Sequence, residues 1–239
     1  MQSMRNWLIV GAVDSRSYGV YITGTGTYNA PVRQYQNIQI PGRDGDLLGI
    51  STRLDNVELT YPAGIVENMR SQLAAFRSAL LAQVGYMRLT DTYQSDEYRL
   101  AVYKGGLEAE VLPTHEAAEF EITFECKPQR YLLSGEDLAA VASGSSVSNP
   151  TPFSSSPLIR VVGYGALVVG GTTVTIAQHD KAYIDIDSET QDCYCGAVNC
   201  NSLVSFSGND FPLLAPGSTG ISYPNTITSV KIKGNWWRV

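Results

Sequence analysis

The chain has 239 residues, enough for one large domain or two modest domains that each bury a hydrophobic core, and we expect two. Its formal net charge of -6, from 17 basic and 23 acidic residues, argues against nucleic acid as the main partner, because phosphate binding needs clustered lysine and arginine. Charged residues make up only 17% of the chain, which suits a β-rich protein that covers much of its surface with other molecules.

The sequence contains no segment that resembles a membrane anchor or a secretory signal. No apolar run approaches the roughly 20 residues needed to cross a bilayer, and the first ten residues lack the apolar core and cleavage site of a signal peptide. We therefore expect synthesis in the cytoplasm and no membrane insertion.

The first part of the chain is predicted to form strands joined by loops. Aromatic and β-branched residues predict a strand at 18–22, a second at 32–40 and a third near 57–61. Between the last two, the segment 41–46 combines Pro-Gly with Asp-Gly, which is first of all a turn signal.

This turn also carries three charged residues, Arg43, Asp44 and Asp46. Two carboxylates so close together could hold a hard cation, but the 12-residue ligand ladder of an EF-hand, with its terminal bidentate glutamate, is missing. We therefore favour a turn over an ion site. In that case the three charges are free to pair with one another or with a neighbouring subunit.

One segment, 65–84, has a helical period. Pro62 precedes it and Gly85 ends it, as helix punctuation predicts. Such a stripe is typical of a helix packed on a sheet rather than of a cofactor site. The apolar residues of the stripe are Ile65, Met69, Leu73, Phe76, Leu80 and Val84.

Strands are again predicted at 86–90, 98–103 and 118–126. The last alternates acidic and apolar residues with a period of two, the pattern of a strand with one buried and one solvated face. We expect its acids at 119, 121 and 125 to be solvated. They could also line a groove as acid or base groups, but nothing in the sequence supplies the environment that would raise a carboxyl pKa for catalysis.

The composition changes after residue 133. Serine, threonine, glycine and proline dominate the region up to residue 157, which indicates a domain boundary. We predict a first domain over 1–133, a linker over 134–152 and a second, all-β domain over 153–239. Many short strands, with a Gly170-Gly171 hairpin signal among them, indicate a sandwich or barrel.

The chain offers no assembled catalytic constellation. Its two histidines, His115 and His179, lack a Gly-x-Ser-x-Gly elbow or a cysteine-histidine signature. Three cysteines lie close together in the sequence at 193, 195 and 200, but their spacing is not that of a zinc site, and a fourth ligand would have to be Cys126 or His179. We favour free thiols over a metal, and expect no enzyme activity and no cofactor.

Carbohydrate contact is a further possibility, because β-sandwiches often stack sugars on exposed aromatic rings. Trp236 and Trp237 are candidates for contact with a glycan or a partner. On a strand, adjacent side chains point to opposite faces, so at most one of the two is free for such a contact.

Several motifs, in their order along the chain, resemble the distal tail protein family of long-tailed, non-contractile bacteriophages. Each motif is weak alone, whereas the order over nearly the whole chain is specific. In the first half they are residues 14–20, 41–47, the helix after Tyr61-Pro62, and 124–131. In the second half they are residues 149–151, 156–159, 183–187, 211–217, 221–223 and 233–239.

The resemblance implies a mainly β fold with two domains. The N-terminal one would be a β-sandwich or barrel-like ring domain with one α-helix and an extended arm that clasps the neighbouring subunit. The C-terminal one would be a galectin-like β-sandwich that projects outward. Arg43, Asp44 and Asp46 would then lead into the arm or brace the ring. The cysteine cluster at 193, 195 and 200 departs from the family pattern.

The resemblance also implies a structural role without catalysis. Such proteins form a homo-hexameric ring at the distal end of the virion tail. The ring joins the tail-tube protein to the tail-tip or tail-associated lysin protein, close to the tape-measure protein, and receptor-binding fibres often attach to it. DNA would pass only in transit, through a lumen that we expect to be acidic or neutral. The alternative function is a carbohydrate-binding module for host-surface glycans.

Overall fold

The computed structural model describes residues 6–113 and 116–239, and the chain in these ranges is mainly β with one α-helix. It divides into two compact units. The first unit ends at Arg130 and also includes Val239, and the second unit spans Tyr131–Arg238. The division falls three residues before the end of the predicted first domain.

The described residues of the first unit form ten strands and the α-helix, with a short 3-10 helix at Ser15–Tyr18. The strands are β1 (Leu8–Val10), β2 (Val13–Asp14), β3 (Val20–Ile22), β4 (Arg33–Ile38), β5 (Leu47–Leu54), β6 (Val57–Ile65), β7 (Met87–Asp91), β8 (Glu97–Tyr103), β9 (Ala109–Val111) and β10 (Ala118–Leu132), the last of which continues into the second unit.

Most of these strands form one curled sheet in the order β2-β1-β7-β8-β10-β6-β3, with β9 also paired to β10. A bridge between Asn6 and Ile22 leads from β3 back to the residues that precede β1. The sheet therefore curls back towards its own beginning, which agrees with the barrel-like fold that we expected for this domain.

The alternation predicted for 118–126 is confirmed in β10. Phe120, Ile122 and Phe124 are buried, and Glu119 and Glu121, which precede the first two of them, are exposed. On the neighbouring strand β6, Leu59, Tyr61 and Ala63 face the same core. The two strands thus form one wall of a hydrophobic core.

The helix α1 (Met69–Leu81) is shorter than the predicted segment 65–84. Ile65 instead extends β6 and pairs with Ala118, and Asn68 has a left-handed backbone (φ 49) that separates the strand from the helix. The buried face of α1 consists of Leu73, Phe76 and Leu80, as the stripe predicted. No helix in the described ranges is long and apolar enough to span a bilayer.

The second unit contains twelve strands and three 3-10 helices, the latter at Leu133–Gly135, Asn201–Leu203 and Ser207–Asn209. The strands are β11 (Ala139–Ala140), β12 (Ser146–Asn149), β13 (Leu158–Gly163), β14 (Gly165–Val169), β15 (Thr172–Ile176), β16 (Ile184–Asp187), β17 (Asp192–Cys195), β18 (Val198–Asn199), β19 (Val204–Phe206), β20 (Gly217–Ser222), β21 (Ile227–Lys233) and β22 (Trp237–Arg238).

The predicted linker over 134–152 is instead part of this second unit. β11 pairs with β21 and β12 pairs with β20, so both ends of the segment are hydrogen-bonded into sheets. Asn149 is buried, and its side-chain amide donates to the carbonyls of Phe153 and Leu214. Ser143 and Ser145 also hydrogen-bond within this unit, Ser143 to the backbone of Tyr223 and Ser145 to the carbonyl of Ala142.

Two sheets build this unit, in the orders β11-β21-β13-β16-β17-β18 and β12-β20-β14-β15-β19. Ile159, Ile186 and Val230 of the first sheet share one hydrophobic core with Leu167 and Val174 of the second. Two sheets that face each other across one core form a β-sandwich, the all-β architecture predicted for this half of the chain.

Candidate functional site

The hairpin of β4 and β5 is the most conspicuous surface feature of the first unit. Its two strands form a sheet of their own, in which Tyr35 faces Ile50 and Ile38 faces Leu47. Within the described residues, neither strand pairs with the curled sheet. We call this hairpin and its loop, residues 33–54, the arm.

The loop at the tip of the arm folds as its glycines predict. The amide of Arg43 donates to the carbonyl of Ile40 at 3.2 Å, which closes a turn with Pro41 and Gly42 at its centre. Gly42 has a φ of 79°, the positive value that the third position of a type II turn requires. The turn predicted for 41–46 is therefore confirmed, although the loop begins at Gln39.

The arm exposes large apolar side chains that a monomer normally buries. Tyr35, Leu47 and Leu48 keep 53%, 51% and 52% of their surface exposed. Ile38 and Ile40 are exposed as well. The register places Tyr35 and Leu48 on one face of the hairpin and Ile38 and Leu47 on the other, so both faces expose apolar side chains. An isolated two-stranded hairpin is only marginally stable in water, and exposed apolar patches often mark interaction sites.

The base of the arm is anchored by polar contacts. The side-chain amide of Gln34 donates to Asp55 at 2.7 Å, and the amide of Asp55 donates to the carbonyl of Val32 at 2.9 Å. The side-chain amide of Asn56 donates to the hydroxyl of Tyr86, just before β7, and to the carboxylate of Glu125 in β10. These bonds fix where the arm leaves the domain while its tip stays exposed.

An ion pair reinforces this base. Lys104 donates to Glu125, and that contact, followed by the bond from Asn56, holds the pKa of the Glu125 carboxyl below its ordinary value. Both charged groups lie at the surface, so solvent screens their attraction and their contribution to stability is small. Glu125 thus accepts from both Lys104 and Asn56.

Arg43, Asp44 and Asp46 all lie exposed in the loop of the arm. Within the described part of the chain, none of these side chains makes a hydrogen bond or an ion pair. The structure brings the three together on one loop, and their predicted role in contacts between subunits stays a prediction. Sequence reasoning missed Tyr35, Leu47 and Leu48, whose signal was the placement of apolar residues on both sides of a turn.

The two tryptophans differ, as their adjacent positions predicted. Trp236 is only 7% exposed and packs in the core of the second unit, which leaves it little surface for the predicted contact with a glycan or partner. Trp237 is half-buried and stacks on Phe153 at 4.3 Å between ring centroids. Its indole N–H donates to the carbonyl of Ser154, so one ring face and its polar group already have partners.

The histidines and cysteines assemble no metal site in the described residues. The Nε2 atom of His179 lies 3.0 Å from the carbonyl oxygen of Gly163, and its Nδ1 accepts from the amide of Lys181; His115 lies outside the described residues. All four cysteines are free thiols. Burial raises the pKa of Cys126 and of Cys193 to about 12, so both thiols are protonated near neutral pH.

A second surface feature of the first unit is an acidic groove of about 730 Å³. Glu119 and Glu121 of β10 line it together with Glu108 and Glu110 from the β9 region. The two glutamates of β10 lie on the face predicted to be solvated. Besides these carboxylates, the described lining carries only the hydroxyls of Thr23 and Thr123 as polar side chains, and no histidine, lysine or cysteine.

Comparison with known proteins identifies the first unit. Residues 14–126 match the family model described as the phage tail protein RIFT-related domain. The matched residues lie wholly in the first unit, which is thus similar to a phage tail protein RIFT-related domain. The arm lies wholly within the matched residues, so it is part of this domain. No curated protein matches the chain by sequence.

The fold of the whole chain is similar to those of phage adsorption proteins. It matches the Dit protein of phage SPP1, described as a paradigm of the hub adsorption apparatus in phages that infect Gram-positive bacteria. The TM-score is 0.72 at 12% identity, over 98% of this chain and 99% of that chain. This likeness concerns the fold, and together with the RIFT-related domain it confirms the resemblance to distal tail proteins.

Two further structures have similar folds at lower scores. A chain of the phage P2 baseplate in its activated conformation with calcium gives a TM-score of 0.53 at 10% identity, over 96% of this chain and 97% of that chain. A chain of the corresponding baseplate with strontium gives 0.54 at 10% identity, over 98% of each. The fold of this chain is thus similar to those of chains in phage baseplates.

Proposed function

We propose that this protein is a structural hub subunit of a phage tail tip or baseplate, without enzymatic activity. Six copies form a ring at the distal end of the virion tail, which joins the tail-tube protein to the tip or lysin protein near the tape-measure protein. The observation that carries the proposal is the arm, an exposed apolar hairpin in a RIFT-related phage tail domain. Its chemistry requires a second molecule.

The arm suits a contact between copies of the chain. Its strands have free edges on which a neighbour can pair, and Tyr35, Leu47 and Leu48 supply apolar area that is removed from water on contact. Arg43 and Asp46 at the tip carry opposite charges, which steer and orient a partner more than they hold it. In a closed ring each subunit gives one arm and receives another, so every arm is covered.

The two units have different proposed roles in the hub. The RIFT-related unit forms the ring, and the β-sandwich is the galectin-like domain that supports host-adhesion devices such as receptor-binding fibres. The proposed roles follow the expected division into residues 1–133 and 153–239, and the structural boundary after Arg130 lies close to the first of these limits.

DNA passes such a ring only in transit, which requires a lumen that does not bind phosphate. The acidic groove formed by Glu108, Glu110, Glu119 and Glu121 supplies a surface of that kind on the ring-forming unit. Carboxylates repel the phosphate backbone, whereas clustered lysine or arginine would retain it. We propose that this face borders the lumen; a map of the ring with a basic lumen contradicts that assignment.

The oligomeric state of the purified chain tests the hub proposal. Mass photometry at rising concentration should show a species of six chain masses. Replacement of both arm leucines, Leu47→Ser with Leu48→Ser, should shift the population to monomers by at least tenfold in the assembly midpoint. A monomer at all concentrations that binds a glycan array would overturn the proposal in favour of the carbohydrate-binding function.

A matched control distinguishes an effect specific to the arm from the effect of removing any exposed leucine. Leu213 lies in the second unit and is 54% exposed, close to Leu48 in residue type and exposure. Leu213→Ser should therefore leave the hexamer unchanged. Equal loss of assembly in both variants would mean that the arm has no special role in the ring.

A further inference from the structure

Cys193 and Cys200 face each other across the hairpin of β17 and β18. Tyr194 pairs with Asn199 and Cys195 pairs with Val198, and the next residues outward are the two cysteines. The amide of Cys200 donates to the carbonyl of Cys193 at 2.7 Å, while the amide of Cys193 donates to the side chain of Asn201, so one backbone bond joins the two cysteines. Opposed residues on antiparallel strands have Cα atoms roughly 4.5–5.5 Å apart. Disulfide-bonded cysteines most often have Cα atoms at about that same separation.

The two thiols also lie on the same face of the hairpin and in the same environment. Residues directly opposite each other on antiparallel strands project to one face of the sheet. Cys193 and Cys200 are each 1% exposed and belong to one hydrophobic core. The pKa of Cys193 is raised to about 12, chiefly by burial, then by Asp192, and also by the neighbouring Cys200.

We propose that Cys193 and Cys200 are a disulfide-forming pair that closes the edge of the β-sandwich under oxidising conditions. The proposal rests on the hairpin geometry and not on the hub function. It accounts for two of the three cysteines that the family resemblance leaves unexplained.

The oxidant is a small-molecule disulfide, such as oxidised glutathione. One cysteine, as its thiolate, attacks a sulphur of this disulfide, forms a mixed disulfide and releases one small thiol. The second cysteine then attacks the protein-bound sulphur, forms the Cys193–Cys200 bond and releases the second small thiol. Two electrons pass to the small-molecule disulfide, and the two protons of the protein thiols end on the released thiols.

The edge position of the hairpin provides access to these buried groups. β18 has two residues and is the last strand of its sheet, so it separates more readily than a central strand. The Cys200 thiol donates only a weak bond, to the carbonyl of Val198 at 3.5 Å, and this is the contact that oxidation replaces. A bond across the hairpin then holds the edge strand in place.

Cys195 and Cys126 are internal controls. Cys195 is half-buried and its cross-strand partner is Val198, so no thiol faces it. Cys126 is buried in the core of the first unit. Both should stay reduced when the pair is oxidised, even though Cys195 is the more exposed thiol.

Mapping of the thiols in the full-length chain tests the proposal. The protein is equilibrated in oxidised or in reduced glutathione, quenched with acid, denatured, alkylated with iodoacetamide and digested for mass spectrometry. We expect a linked peptide pair that contains Cys193 and Cys200 in the oxidised sample only. Alkylation of all four thiols in both samples, or a bond to Cys195, would overturn the proposal.

Thermal unfolding gives a second readout that does not depend on a variant. The oxidised wild-type protein should unfold at a temperature about 5–10 °C higher than the reduced protein, because the bond restricts the unfolded chain. Cys200→Ala should abolish this difference, and Cys195→Ala should keep it. If Cys200→Ala does not fold, the comparison of the two redox states of the wild type decides alone, and equal temperatures would contradict the proposal. Hexamer assembly is measured separately, so either result leaves the hub proposal untouched.

Discussion

Two hairpins of this protein have similar local structure and opposite environments. In the second unit, β14 and β15 are joined by Gly170 and Gly171 and are flanked on both sides, by β20 and by β19. In the arm, β4 and β5 have no flanking strand among the described residues. The inward residues Leu167 and Val174 of the flanked hairpin are fully buried, whereas Leu47 and Leu48 of the arm are half exposed.

The difference shows that the two strands of an apolar hairpin cannot bury their side chains without other elements packed against them. Leu167 is buried because a second sheet covers it, and Leu48 is exposed because none of the residues that the structure describes covers it. Both leucines come from apolar runs next to a glycine-containing turn. The environment of each hairpin is thus set by the elements around it, and in the arm we propose that these belong to a neighbouring subunit.

The largest expected contrast is between two leucine-to-alanine substitutions. Leu167→Ala should lower the free energy of unfolding by about 3 kcal/mol, because it removes buried methyl groups and leaves a cavity. Leu48→Ala should change it by less than about 0.5 kcal/mol in the dissociated chain. Urea unfolding followed by tryptophan fluorescence measures both, since Trp7 reports the first unit and Trp236 the second. Equal losses would mean that the arm is packed within its own chain.

A smaller contrast is expected between charged residues. Asp185 is buried and accepts two bonds at 2.7 Å from Arg160, so Asp185→Asn should cost about 2 kcal/mol of unfolding free energy by leaving that guanidinium without its carboxylate. Arg43→Ala and Asp46→Ala should change folding by less than about 0.5 kcal/mol.

The same two arm substitutions should weaken hexamer assembly by roughly tenfold if the tip meets a neighbour. Urea unfolding and mass photometry of the same samples separate the two effects. Equal loss of folding and of assembly would contradict an interface role for the tip.

The smallest contrast concerns the two turns. Gly170 has a φ of 58°, and an added Cβ would lie 3.2 Å from the Thr219 side chain, so Gly170→Ala should cost about 1 kcal/mol of unfolding free energy. Gly42 has a φ of 79° in open space, so Gly42→Ala strains only the arm. We expect unchanged unfolding and faster hydrogen exchange at the Arg43 amide. Unchanged exchange in Gly42→Ala would indicate that the turn tolerates a side chain there.

The strongly periodic segments could be predicted from the sequence, because their pattern reflects burial on one face. The period of two in β10 and the apolar stripe of α1 are examples, and only the ends of the helix were wrong. β5 was not predicted, since residues 47–54 mix glycine, serine, threonine and arginine without alternation. The strands β11 and β12 were mistaken for a linker because their partners β21 and β20 are distant in the sequence.

The turn of the arm could be predicted from the sequence, but the exposure of its apolar side chains could not. Pro41 and Gly42 fix the turn by local backbone preference, which needs no tertiary information. Whether Leu48 is core or interface depends on what lies above it, and a pattern of residue types does not contain that. The same limit applied to the two tryptophans. Alternation predicted that they point to opposite faces, but it did not predict that Trp236 is the one that enters the core.

The sequence by itself determined a mainly β chain, a helix with one buried stripe, a glycine turn at 41–46 and a resemblance to phage tail proteins. These follow from short-range preferences and from the order of motifs. The tertiary structure alone decided that the arm stands apart from the curled sheet, that residues 134–152 join the sandwich, and that Cys193 faces Cys200. Pairing and burial join residues far apart in the chain, so they are settled only when the whole fold has formed.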